Sequence, residues 1–153
     1  MKTIEKGATA PDFELPDQTG TPRRLSDLLT GGPVVLFFYP AALSSGCTAE
    51  SCHFRDLAAE FATAGAVRVG ISTDPPARQA EFDRQHSLGY PLLSDEDGAV
   101  ATSLGVKRRL LTPVKRVTLV IGTDRTVLEV ISSEMSMQKH ADTALEFLRR
   151  PAA

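Results

Sequence analysis

The chain has 153 residues, 42% of them apolar and 24% charged, with a formal net charge of −2. That is enough chain for one globular domain with a real core, and its weak acidity excludes the basic footprint of a nucleic-acid or anionic-membrane binder. The longest strongly apolar run, Val34–Tyr39, is far too short to cross a bilayer, and the opening MKTIEKGATAPDF lacks the apolar centre of a signal peptide. A single domain in a reducing cytoplasm is therefore expected.

Pro11, Pro16, Gly20 and Pro22 make the first stretch loop-like, with short extended pieces at Phe13–Leu15 and Arg23–Leu25. Ser26-Asp27-Leu28-Leu29 reads as one helical turn stopped by Gly31-Gly32. Val34–Tyr39 is continuously apolar and rich in β-branched and aromatic residues, the pattern of a strand buried on both faces. A helix is predicted from Cys47 to Ala64, with Phe54, Leu57, Ala58 and Phe61 as its apolar stripe and Gly65 as its stop. Ala66–Ser72 is the next strand, and Pro75 to His86 a second helix. A short extended piece at Pro91–Leu93 and a short helix at Asp97–Leu104, closed by Gly105, come next. Arg116–Ile121 and Val127–Ile131, joined by GTDRT, read as an antiparallel hairpin. A last helix runs from Met137 to Arg150, with Ala141, Ala144, Leu145 and Leu148 on one side. This order implies a mixed central sheet with helices on both faces, and a thioredoxin-like three-layer α/β sandwich satisfies it.

The chain has two cysteines, Cys47 and Cys52, both in FYPAALSSGCTAESCHFRD. A cysteine at a helix N-terminus meets unpaired N–H groups and the positive end of the helix dipole, which favour the thiolate. Cys47 is expected at that place, seven residues before Phe54 and so turned inwards. Cys52 falls roughly 140° further round, on the side of Arg55, Asp56 and Ala59. Five residues of helix separate the two Cα atoms by roughly 8 to 9 Å, whereas a disulfide needs less than about 7 Å. The two can bond only if the helix start unwinds. From spacing alone, Cys47 reads equally as a reactive thiol or a small buried hydrophobe, and Cys52 better as the latter. A metal cluster of Cys47, Cys52 and His53 lacks the ligands zinc prefers. His53 is expected in solvent, His86 near a helix end, and His140 on the exposed side of the last helix.

The same segment resembles the peroxiredoxins, specifically the bacterioferritin-comigratory-protein or PrxQ subfamily. The likeness continues through APDFELPDQTG, GISTD at 70–74, PLLSDEDG at 91–98 and VKRVTLVIGTD at 114–124. The resemblance implies that Cys47 is the peroxidatic cysteine and Cys52 the resolving one. It implies that Pro40 shields the thiolate, that Arg116 stabilises thiolate and peroxide, and that Glu50 orients the arginine. The family usually has Thr-Pro-Gly-Cys where this chain has Ser44-Ser45-Gly46-Cys47. Ser44 keeps the hydroxyl that bonds the peroxide but loses the rotamer restriction of threonine, and Ser45 loses the fixed φ of proline, so a looser loop is expected. The implied activity is reduction of a hydroperoxide, with thioredoxin or a similar dithiol protein as reductant and no metal, flavin or haem. With both thiols in one helix, a monomer suffices. Two rivals share the fold. A disulfide reductase would place two residues between its cysteines, not four, and a redox sensor would turn peroxide over slowly.

Overall fold

The computed structural model describes residues 2–108 and 114–150, and every structural statement below concerns these. The chain opens with a small antiparallel pair, β1 (Glu14–Pro16) and β2 (Pro22–Arg24). Helix α1 (Leu25–Leu28) then tightens into a 3-10 turn at Leu29–Gly31. The main sheet and its helices follow as β3 (Val34–Phe38), α2 (Ser45–Asp56), α3 (Ala58–Thr63), β4 (Val67–Ser72), α4 (Pro76–His86) and β5 (Leu92–Ser94). The chain continues through α5 (Ala99–Ser103), β6 (Val117–Ile121), β7 (Val127–Ser132) and α6 (Met137–Arg149).

The five-stranded sheet has the order β5-β4-β3-β6-β7. Strands β3, β4 and β5 are parallel, while β6 runs antiparallel to β3 and β7 antiparallel to β6. Every residue of β3 is buried, as its unbroken apolar run requires of a central strand covered on both faces. Its side chains alternate between two clusters. Val34, Leu36 and Phe38 join Leu25, Val100, Leu104 and Leu119 on one face. Val35, Phe37 and Tyr39 join Cys47, Phe54, Phe61, Phe82 and Ala144 on the other. The expected mixed sheet with helices on both faces is therefore what forms.

One expectation needs correcting. The helix predicted as a single piece from Cys47 to Ala64 is two helices, α2 and α3, divided at Leu57 (φ −96°, ψ 21°). Phe54, Leu57 and Phe61 keep helical spacing across the joint, so periodicity does not reveal it, whereas Ala58 of the expected stripe is exposed. Near the break, Arg68 on β4 donates to the Phe54 carbonyl at 2.9 Å, satisfying a last-turn oxygen of α2. Gly65, with φ of +74°, then closes α3 as its spacing predicted.

Candidate active site

Helix α2 begins two residues earlier than its spacing suggested, with Ser44 in extended conformation as its cap and Ser45 as its first residue. Its first intrahelical bond runs from the Thr48 amide to the Ser44 carbonyl at 2.9 Å. The amides of Ser45, Gly46 and Cys47 therefore precede the helical ladder, and they bring the positive end of the helix to the Cys47 sulfur. Cys47 has no exposed surface. The Ser44 hydroxyl donates to the Ala41 carbonyl at 2.9 Å, which leaves its oxygen lone pairs free to accept. The preceding Leu43 holds a left-handed φ of +68°. This unusual backbone for a leucine turns the chain from the sheet into the helix.

Arg116, immediately before β6, reaches under this helix start. Its Nη2 donates to Cys47 Sγ at 3.1 Å and its Nη1 to Glu50 Oε1 at 3.2 Å. Register explains the meeting: β6 pairs with β3, whose far end feeds the loop to α2. Gly46 is packed so closely against the arginine that a Cβ there would lie 3.0 Å from Nη2. One cation thus serves two acids, a thiol and a carboxyl, inside the fold.

Glu50 is completely buried, and burial pushes its carboxyl up to about 8 against the downward pull of the Arg116 guanidinium. Its Oε2 has no hydrogen-bond partner. The His140 ring lies close to that oxygen, with its Nε2 3.6 Å away. His140 was expected on the exposed side of α6, but it is fully buried. It falls four residues before Ala144, on the stripe that α6 turns to the core. Its Nε2 sits 2.8 Å from the Ser133 carbonyl, which can only accept, so Nε2 carries the hydrogen. Nδ1 then accepts from the Thr118 hydroxyl at 2.8 Å. Burial lowers the pKa of His140, the Ser133 bond opposes this, and the Arg116 charge adds to the lowering. A neutral imidazole therefore backs the carboxyl.

The loop before α2 is held from β4. Asp74 accepts from the Ala42 amide at 2.7 Å and from the Ser72 hydroxyl at 2.7 Å. This gives the GISTD segment a task that its residues alone did not announce. It follows from topology, since β3 and β4 are parallel neighbours whose C-terminal ends lie side by side. Pro40 is half-buried in this same loop.

Cys52 lies one and a half turns beyond Cys47, still within the helix, and both are free thiols. It is half-buried and packs against the aromatic cluster, so its side of the helix is less polar than its neighbours implied. His53 is not simply solvated; its Nε2 pairs with Asp142 of α6 at 2.6 Å. The structure thus brings Cys47, Glu50 and Arg116 into contact, with Ser44 at the helix cap, and it leaves Cys52 outside that group. Among the described residues no cluster of three or more His, Cys, Asp or Glu side chains is placed to hold a metal ion.

Comparison with known proteins carries this geometry to a family. Residues 6–130 match the AhpC/TSA family model. The chain belongs to the AhpC/TSA peroxiredoxin family. The crystal structure of peroxidoxin BcpB from Mycobacterium tuberculosis is 65% identical, covers 95% of this chain and 97% of its own, and superposes with a TM-score of 0.92. A chloroplastic peroxiredoxin Q of Sedum lineare is 40% identical over 147 residues, 95% of this chain and 78% of the plant protein. A peroxiredoxin Q structure from Xanthomonas campestris is 27% identical, with coverages of 90% and 89% and a TM-score of 0.83. These relatives support thiol peroxidase chemistry for this peroxiredoxin, with a peroxide as substrate and a thiol as reductant. Among the described residues no helix is long and apolar enough to cross a membrane.

Proposed function

We propose that Cys47 is the peroxidatic thiol of a single-domain peroxidase and that Cys52 resolves its oxidised form. The observation that carries this reading is the Arg116 guanidinium 3.1 Å from the Cys47 sulfur, at the first turn of a helix and away from solvent. The thiolate attacks the terminal oxygen of a hydroperoxide. An S–O bond forms, the O–O bond breaks, and the departing alkoxide or hydroxide takes a proton to leave as alcohol or water. Amides of the 44–47 turn and Arg116 stabilise the charge that builds on the departing oxygen. The Ser44 oxygen accepts a hydrogen bond from the peroxide, Glu50 keeps the guanidinium aimed at sulfur, and Pro40 screens the thiolate from water. Because Cys47 is sealed, the covering loop must yield to admit substrate, and the Ser44-Ser45 pair makes that loop easier to move.

Cys52 then condenses with the sulfenic acid. Its thiol proton leaves with the hydroxyl as water, and an intramolecular disulfide forms. Thioredoxin or a similar dithiol protein restores both thiols by exchange. The cycle needs no second subunit, nucleic acid or membrane, and it suits a cytoplasmic monomer.

The test is intact mass and peptide mapping after one equivalent of hydrogen peroxide is added to the reduced protein. Loss of about two mass units as a Cys47–Cys52 disulfide supports the cycle, and Cys47→Ser abolishes peroxide consumption. A stable gain of about sixteen on Cys47 removes Cys52 from the resolving role. No change would sink the peroxidase reading of this site.

A further inference from the structure

The disulfide proposed above requires α2 to open, and the two halves of that helix are held in different ways. Among the described residues, the first half is hydrogen-bonded to other elements through one side chain. Arg116 donates to Cys47 and to Glu50. The stronger of these ties is charge-assisted while sulfur is a thiolate, and oxidation to a neutral sulfenic acid removes that charge. The remaining local bonds of this half, from Thr48 to the Ser44 carbonyl, are internal to the turn that would unwind.

The second half is tied to three other elements by bonds indifferent to the state of Cys47. The Tyr90 hydroxyl, nearly buried, donates to the Ser51 carbonyl at 2.8 Å. Arg68 Nη1 donates to the Phe54 carbonyl at 2.9 Å, and its guanidinium lies 4.9 Å from the centre of the Tyr90 ring, which joins the two ties. Arg55 Nη1 donates to the His86 carbonyl at 2.7 Å, and His53 pairs with Asp142. Phe54 is wholly buried, with its ring stacked 4.1 Å from that of Phe37. Cys52 stands in the middle of this clamp, with Ser51 pinned on one side and Phe54 on the other.

We propose that Tyr90 and Arg68 are positioning residues for the resolving step. They hold the Cys52 half of α2 stationary while the 45–50 half unwinds and delivers oxidised Cys47 to it. Opening then ends between Glu50 and Ser51. The step itself is the one written above: the Cys47 S–O bond breaks, the S–S bond forms, and water leaves. The inference rests on the disulfide reading and adds the direction of movement, since Cys47 travels and Cys52 waits. A fixed target raises the effective concentration of the resolving thiol.

The opposite arrangement, in which Cys52 travels, makes the opposite kinetic prediction. Rapid mixing of reduced protein with hydrogen peroxide, acid quench and alkylation resolves both loss of the Cys47 thiol and growth of the disulfide by mass. Tyr90→Phe deletes only the hydroxyl. It is expected to leave the first step as in the parent and to slow disulfide formation roughly two- to tenfold, the range one net hydrogen bond spans. Arg68→Met is expected to act in the same direction. Residue-resolved amide exchange on the disulfide form supplies the second readout. Amides 48–54, whose acceptors lie in the opened turns, become fast, while those of Arg55, Asp56 and Leu57, which bond back to Ser51, Cys52 and His53, stay slow. Faster or unchanged disulfide formation in Tyr90→Phe overturns the proposal, as does fast exchange through Leu57. If the parent forms no disulfide by mass, the reading it rests on falls as well. If the disulfide forms but the rates go the other way, only the clamp is wrong.

Discussion

On one face of the sheet Val34, Leu36 and Phe38 pack against aliphatic side chains from α1, α5 and β6. On the other, Val35, Phe37 and Tyr39 pack against aromatic rings, with Cys47 set among them and Glu50, Thr118 and His140 buried nearby. Polar groups are buried near both, but for different ends. Beside the aliphatic cluster, Asp95 accepts from the amides of Val100 and Ala101 and so starts α5. Its polarity is consumed by backbone. Beside the aromatic cluster, Arg116, Glu50 and Cys47 face one another with a single cation between two acids. The first arrangement fixes a fold. The second leaves a charge to be redistributed when sulfur changes state.

The sharpest way to separate the faces is Arg116→Met. Removing a preorganised donor from a developing charge costs roughly 10²- to 10³-fold in rate, so peroxide consumption by stopped flow is expected to fall at least about a hundredfold. Glu50 already holds its proton below about pH 8, and losing Arg116 removes only a downward pull on that carboxyl. The stability cost below pH 8 is therefore expected to stay under the roughly 3–5 kcal/mol of a broken buried ion pair, as read by urea unfolding. A rate close to that of the parent would remove Arg116 from the chemistry.

Leu36→Ala tests the other face. Leu36 is fully buried in the central strand, and its truncation is expected to cost about 2–5 kcal/mol in urea unfolding. The peroxide rate per folded molecule should be that of the parent. A large loss of rate in the folded variant would mean that the two faces are coupled through β3.

A smaller effect, confined to a pH window, follows from Glu50. Its ordinary value is 4.5 and burial holds it near 8. The folded protein therefore keeps a proton that the unfolded chain has already lost. The stability contributed by this group is whole below about pH 4.5 and drains away as pH rises through about 8. Glu50→Gln cannot ionise. Between pH 5 and 8 the parent is therefore expected to lose stability relative to the variant, by up to a few kcal/mol at the upper end. Equal slopes in urea midpoint against pH would mean that Arg116 pairs the carboxylate fully and burial does not govern it.

What the chain discloses before folding is uneven, and the reasons are physical. Strand β3 is legible because an unbroken apolar run has few places to go, and the β6–β7 hairpin because its turn is five residues long. That the two cysteines stand too far apart to bond within an intact helix follows from helix geometry alone. The break at Leu57 is hidden because packing against β4, including the Arg68 bond to Phe54, divides a helix across which Phe54, Leu57 and Phe61 keep helical spacing. His140 is buried although a histidine in a helix is by itself a polar side chain expected in solvent. The spacing to Ala144 and the core residue Ala141 beside it were the available signal. The meeting of Arg116 with Cys47, 69 residues apart, belongs to strand order, and only the family resemblance anticipated it. Asp74 is of the same kind: its bond to Ala42 depends on β3 and β4 being parallel neighbours.

The finest division between fold and chemistry lies at Gly46. Its φ is not in the left-handed region, so alanine can adopt its backbone, and a helical Gly→Ala change tends to stabilise by about 0.5–1 kcal/mol. Against this, the new Cβ would stand 3.0 Å from Arg116 Nη2 and 3.6 Å from Met137 Sδ. The guanidinium must retreat by a few tenths of an ångström. It is anchored on its other side by Glu50, so the displacement falls on the bond to Cys47. Gly46→Ala is expected to leave the urea midpoint nearly unchanged, because the two effects oppose, while peroxide reduction falls several-fold. If both stability and rate drop together, the methyl group has disrupted the helix start rather than the aim of the arginine. If neither moves, Arg116 has slack that its two bonds do not reveal.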